Sequence, residues 1–178
     1  MRKLKTTELN RLSTEQFKAS EKMPVVVVLD NVRSAMNVGS VFRTSDAFLI
    51  KKIYLVGISA TPPNRDIQKS ALGATETVEW EYRPSIGGCV EELKQLGYTI
   101  LCVEQSDRSI PLDEFVVSSQ NNYALIFGNE VDGVSQYAMD HCHHCLEIPQ
   151  FGMKHSLNIS VCAGIVIWEL IRKYKGKQ

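Results

Sequence analysis

Val25-Val26-Val27-Val28-Leu29 and Tyr123-Ala124-Leu125-Ile126-Phe127 are unbroken apolar runs of strand length. A strand with one wet face alternates polar and apolar residues, so runs like these belong to a sheet covered on both faces. Working outward, Lys52–Val56, Tyr98–Val103 and Cys145–Ile148 read as further strands, with Val78–Tyr82 as a candidate addition. Helical periodicity marks Val38–Phe48, Arg65–Leu72, Ile86–Leu96 and Leu157–Tyr174. Strands and helices alternate along the chain, which predicts an α/β fold with a parallel sheet between two helical layers.

No internal repeat, low-complexity tract or composition break divides the 178 residues. That length suffices for one domain with its own core. Residues 24–178 are expected to form it. Residues 1–23 read as a polar extension in which Ser13 and Gln16 have capping-box spacing ahead of a short helix. Twenty basic and twenty acidic side chains cancel, so net charge neither requires nor excludes a nucleic-acid partner. The N-terminus, M-R-K-L-K-T-T-E-L-N, lacks an apolar signal core, and no stretch has the length and apolarity to span a bilayer. A cytoplasmic protein without membrane association is expected. The five cysteines (Cys89, Cys102, Cys142, Cys145, Cys162) are odd in number and sit mostly in apolar runs, as reduced thiols do.

In open α/β sheets, ligands bind beyond the carboxyl ends of the strands. Three segments in such places are unusual. After the first strand, Asn37 is a candidate N-cap, and Val38, Val41, Phe42, Ser45, Phe48 and Leu49 share one helical face. Arg43 lies off that stripe, over Gly39 and Ser40, because helical side chains lean toward the N-terminus. Two small neighbours leave a trench along which a guanidinium can reach the strand–helix junction. The competing reading is an ordinary surface arginine.

The second segment is G-N-E-V-D-G-V-S, Gly128–Ser135, whose glycines permit tight turns and close approach of backbone to a ligand. It matches neither G-x-G-x-x-G nor the Walker pattern, which argues against a nicotinamide enzyme and an NTPase. The third is I-P-Q-F-G-M-K-H-S-L-N-I-S-V-C-A-G, Ile148–Gly164, a loop entering an apolar helix with Ser156, Asn158 and Ser160 in its expected first turn. Helix starts leave N–H groups unpaired, and small polar side chains beside them suit a polar ligand. Ser156 as a plain N-cap is the alternative.

Asn37 with Arg43, Gly128-x-Glu130-x-x-Gly133, and Ile148-Pro149-x-x-Gly152-x-x-x-Ser156-Leu157-Asn158-x-Ser160-Val161 together resemble the three motifs of the SpoU (TrmH) family. That family lies in the SPOUT class of S-adenosylmethionine-dependent RNA methyltransferases. The resemblance covers about residues 24–174, with the motifs in the family's order and spacing. It implies methyl transfer to a ribose 2′-hydroxyl of structured RNA, with a tRNA guanosine favoured over rRNA. It also implies a deep C-terminal trefoil knot and a homodimer whose active site is built at the subunit interface. Knots are otherwise nearly absent from folds, and no periodicity argument yields one.

Residue by residue, Arg43 matches the motif-one arginine proposed to help deprotonate the attacking hydroxyl. A free guanidinium has too high a pKa to act as a base unaided. Bidentate orientation of ribose and phosphate is an equally sound role. Asn37 matches the motif-one asparagine, expected to help hold Arg43 and the substrate pocket. Glu130 matches the motif-two glutamate, expected to fix Arg43 or a loop. Ser156 and Asn158 match the motif-three pair near the cofactor and the arginine. Gly128, Asn129, Glu130, Ile148, Gly152, Ser156 and Leu157 are the expected S-adenosylmethionine contacts. Arg43, Lys154 and His155 are candidate RNA contacts. About twenty residues precede the first strand, so RNA selection is expected to rest on the catalytic dimer, on Arg2, Lys3, Lys5 and Arg11, or on Arg172, Lys173, Lys175 and Lys177. Basic residues at the ends would contact phosphates without reading sequence, or they simply solvate helix ends.

H-C-H-H-C, His141–Cys145, invites a zinc reading, but a structural site needs a second ligand pair at compatible spacing. No metal is expected, and methyl transfer from a sulfonium needs none. The alternative to an enzyme is a non-catalytic RNA-binding protein that keeps the fold. Degraded motifs would favour it, and all three motifs are intact.

Overall fold

The computed structural model describes residues 1–5 and 8–176, so the expectation for Lys177 lies outside the described residues. Among these residues, seven strands form one sheet: β1 (Met23–Asp30), β2 (Ile50–Val56), β3 (Glu79–Arg83), β4 (Tyr98–Val103), β5 (Ile110–Pro111), β6 (Asn122–Phe127) and β7 (His144–Glu147). Their order is β3-β2-β1-β6-β4-β7-β5, and every pair is parallel. The helices are α1 (Thr14–Ala19), α2 (Ala35–Ala47), α3 (Arg65–Ala71), α4 (Ala74–Thr77), α5 (Ile86–Gln95), α6 (Gln136–His141) and α7 (Ile159–Lys175).

The unbroken β1 run has a direct cause. Val25, Val27 and Leu29 enter a core shared with Val41 and Phe42 of α2, Ile67 of α3, and Val166 and Ile167 of α7. Val26 and Val28 enter the opposite core with Val90 and Leu93 of α5 and Ala138 of α6. Neither face meets water, and each fully buried valine contributes on the order of 1.5–3 kcal/mol. Among the described residues, no helix is long and apolar enough to cross a membrane.

The expected strands are all present, with edges moved by a residue or two. The candidate Val78–Tyr82 is β3, an edge strand whose Glu81 and Arg83 join Lys52 and Glu92 in a network of ion pairs. The opposite edge, β5, is two residues long and ends in Pro111. It and the short helices α4 and α6 gave no sequence signal, since periodicity needs more residues than they contain.

Three local expectations are corrected. Asn37 is not the N-cap of α2: Ser34 is, and its Oγ accepts from the Asn37 N–H at 3.3 Å. Ser156 is not the cap of α7, which starts at Ile159, so Ser156 and Asn158 precede its first turn. Asn158 caps it by accepting from the Ser160 N–H at 2.9 Å. Gly39 does not floor a trench for Arg43. It is buried where α2 meets α3, and a Cβ there would lie 2.0 Å from Ser70 Oγ and 2.4 Å from the Ile67 carbonyl oxygen. Helical periodicity identifies a face as small but not that another helix occupies it.

The capping box at Ser13 forms in both directions: Ser13 N–H donates to Gln16 Oε1 at 2.8 Å, and Gln16 N–H donates to Ser13 Oγ at 3.2 Å. The helix it starts, α1, puts Phe17 into the same core as Val25.

Candidate functional site

The carboxyl ends of β1, β4, β6 and β7 lie side by side in the sheet order, and their loops meet there. Glu130, in the loop after β6, joins two of them. One carboxylate oxygen accepts from the Arg33 N–H at 3.2 Å, and the other accepts from the Ser34 N–H and Asn37 Nδ2, both at 3.1 Å. Asn158 then donates from Nδ2 to Asn37 Oδ1 at 3.2 Å. One carboxylate and two amides thus tie the loop after β1, the loop after β6 and the start of α7 into a single chain of hydrogen bonds.

Desolvation pushes the Glu130 carboxyl up, but the hydrogen bonds it accepts outweigh this and hold it below its ordinary range. A carboxyl depressed in the folded state contributes stability that is complete above its unfolded pKa and lost as pH falls through the folded one. The backbone amides of Arg33 and Ser34 are therefore expected to lose hydrogen-exchange protection, after correction for intrinsic rates, as the medium is acidified below the ordinary carboxylate range. Glu130→Gln should abolish that acid transition. An unchanged profile in the variant would show that another group holds the loop.

The Gly128–Ser135 loop is folded back on itself. Asn129 and Gly133 exchange backbone hydrogen bonds at 2.8 and 3.0 Å. The Asn129 side chain donates to the Asn31 carbonyl at 2.7 Å and accepts from the N–H groups of Val131 and Asp132 at 2.8 and 3.2 Å. Buried Asp30 accepts from the Ser135 N–H at 2.9 Å. Gly128 is forced by space: a Cβ would lie 2.0 Å from the Gly133 carbonyl carbon. Gly133 is forced by conformation, with φ at +70°.

This loop and the Ile148–Asn158 segment wall a cavity of about 460 Å³, a size suited to a small organic ligand. Four carboxylates line it, Glu104, Glu130, Asp132 and Glu147, together with the apolar Phe127, Leu146, Ile148 and Leu157. No lysine or arginine is among the lining residues. The thiol of Cys162 also faces it and is pushed up to about 12 by burial, which keeps it protonated and unreactive.

Of the residues singled out in the sequence, Gly128, Asn129, Glu130, Ile148, Ser156, Leu157, Asn158 and His155 line this cavity. Asn37 stands one hydrogen bond away, on Glu130 and Asn158. Arg43 and Gly152 do not line it. Arg43 is exposed on α2, and among the described residues its side chain makes no hydrogen bond or ion pair. Glu130 therefore fixes a loop and not Arg43 within this chain, and Asn37 holds Glu130 instead of the arginine. Lys154 is exposed on the loop.

Sequence reading missed Glu104 and Gln105, which follow β4. Gln105 Nε2 donates to the His155 carbonyl at 2.9 Å, which ties the motif-three loop to this strand end. The signal was there, since these residues also lie past the carboxyl end of a strand. In the H-C-H-H-C stretch, His143 Nδ1 accepts from the Ile100 N–H at 2.8 Å, while His141 Nδ1 meets the Tyr137 carbonyl. Among the described residues, no three His, Cys, Asp or Glu side chains are grouped to hold a metal.

The chain is similar to known proteins in sequence and in fold. The 23S rRNA (guanosine-2′-O-)-methyltransferase RlmB of Neisseria meningitidis is 31% identical over 150 residues, covering 84% of this chain. The chain spans 59% of that relative's length. The structure of the A. aeolicus TrmH/SpoU tRNA modifying enzyme superposes with a TM-score of 0.80 at 26% identity, over 92% of this chain and 81% of that one. An AdoMet-bound rRNA methyltransferase from Sinorhizobium meliloti shares the fold, with a TM-score of 0.79 at 23% identity, over 85% of this chain and 57% of that one. The profile of the SpoU rRNA Methylase family matches residues 24–168. That span holds nearly the whole sheet and every member of the Asn37–Glu130–Asn158 connection, and this chain belongs to the SpoU rRNA Methylase family.

Proposed function

We propose that this chain is an S-adenosylmethionine-dependent methyltransferase acting on a ribose 2′-hydroxyl in structured RNA, with a tRNA guanosine favoured over rRNA. The observation that carries the reading is the charge of the cavity. Four carboxylates and no lysine or arginine line it. A polyphosphate nucleotide would meet uncompensated negative charge there, whereas a ligand bearing a sulfonium and an ammonium meets a favourable field. The missing Cβ at Gly128 lets the returning limb of its loop pack closely behind it and so sets the wall of the cavity. Ile148 and Leu157 offer apolar surface to an adenosine, with Asn129 and Ser156 as polar contacts.

S-adenosylmethionine, when bound, supplies a methyl group on a positively charged sulfur. The protein's part is alignment. Glu130, Asn37 and Asn158 hold the loops that shape the substrate side. Arg43 orients the ribose and a phosphate through its fork, and Lys154 and His155 contact RNA nearby.

Arg43 stands outside the cavity of its own chain, which suits an active site completed across a homodimer. A second feature supports that assembly: Val161, Ile165 and Trp168 form an exposed apolar stripe on α7. The trefoil knot belongs to the same proposal. It rests on the family match over residues 24–168. The division at residue 23 and a cytoplasmic setting complete the reading.

Mass spectrometry of nucleosides from separated tRNA and rRNA, with and without the gene, tests it. Loss of one 2′-O-methylguanosine from tRNA is expected. A loss confined to rRNA would move the substrate, and no loss together with no cofactor binding would overturn the activity.

A further inference from the structure

Val103 and Leu146 are register partners on β4 and β7, and the Glu104 N–H donates to the Leu146 carbonyl at 3.0 Å. The next residues along the two strands, Glu104 and Glu147, are therefore neighbours at the rim of the cavity, and both line it. Like charges on adjacent strands repel unless something neutralises them. Among the described residues no lysine or arginine pairs with either. Each is instead held by uncharged donors. Glu104 accepts from the N–H groups of Gln105 and Val134 at 2.9 and 3.0 Å, and Glu147 accepts from Ser109 Oγ at 2.8 Å. A carboxylate offers about four acceptor positions, so capacity remains on both.

We propose that Glu104 and Glu147 are specificity-determining residues that favour the positively charged methyl donor over its product. This rests on the cofactor reading above and goes further. S-adenosylmethionine and S-adenosylhomocysteine share the adenosine and the amino acid and differ by one methyl and one positive charge at sulfur. Shape and hydrogen bonding treat the two nearly alike. Two fixed, unneutralised carboxylates do not: they attract the sulfonium and are indifferent to the thioether. The consequence is that loss of charge on methyl transfer weakens the hold on the product and promotes its release.

The test is calorimetric titration of the unliganded protein with each nucleoside, for wild type, Glu147→Gln, Glu104→Gln and the double variant. A unit charge removed at several ångströms in a partly screened site should lower the ratio of donor to product affinity about fivefold per substitution. Glu104→Gln also loses one acceptor for the Val134 or Gln105 N–H, which weakens both ligands together. The ratio cancels that shared loss. Sinefungin, which carries an ammonium in place of the sulfonium, should follow the donor. An unchanged ratio in all variants would overturn the proposal while leaving the methyltransferase reading intact. Failure of the wild type to bind either nucleoside would overturn the cofactor reading and this inference with it.

Discussion

Arg43→Ala should lose about 10²-fold or more in methyl transfer to the target RNA, the scale of a positioned proton-transfer or charge-stabilising group. Binding of S-adenosylmethionine should stay close to wild type, because Arg43 does not line the cavity. Thermal stability should hold within about 0.5 kcal/mol, as expected for an exposed side chain that makes no hydrogen bond. Arg43→Lys separates the roles. A lysine keeps the charge but not the planar fork, so a poor rescue identifies orientation of ribose and phosphate as the contribution. Mixing Arg43→Ala subunits with subunits whose cavity is damaged should restore activity if the arginine serves the other copy's cavity. Unchanged methylation in Arg43→Ala would remove the assigned role.

The second large effect is expected at Gly128. An added Cβ would lie 2.0 Å from the Gly133 carbonyl carbon and 2.1 Å from the Val134 nitrogen. Both are backbone atoms on the returning limb of the same loop, so no flexible side chain can move aside. The paired hydrogen bonds between Asn129 and Gly133 must open instead. Gly128→Ala should therefore cost about 1–3 kcal/mol, the range for overpacking a close contact, and cofactor affinity should fall about tenfold or more as the cavity wall shifts. Scanning calorimetry and titration with S-adenosylmethionine measure the two effects. Wild-type affinity in this variant would mean that the loop does not shape the binding site.

The two parts of the molecule differ in how much their sequence discloses. β1 and β6 are legible because burial on both faces keeps their central residues apolar, and a run of that length and composition fits the interior of a covered sheet and little else. The three motif loops are legible because strand ends and glycines mark them. What the sequence hides is which partner each side chain takes. Glu130 could have paired with Arg43 or with backbone, and the choice depends on the path of the loop after β1, which carries Asn31 at a positive φ of 58°. Gly39 looked open because helix periodicity is blind to α3. Glu104 carries the position signal alone, past the end of a strand, and no motif; the register of β4 with β7 is what gives it a neighbour.

The margins of the sheet carry a consequence for self-association. At one side, β3 presents charged side chains bound into ion pairs with Lys52 and Glu92. At the other, β5 is two residues long and closed by a proline. Neither offers the long, flat, uncharged ladder that a second chain could extend. Copies of this protein that meet in solution are thus steered away from strand-by-strand stacking, the route to fibrils, and toward contact through helical surfaces, where association stays finite and reversible.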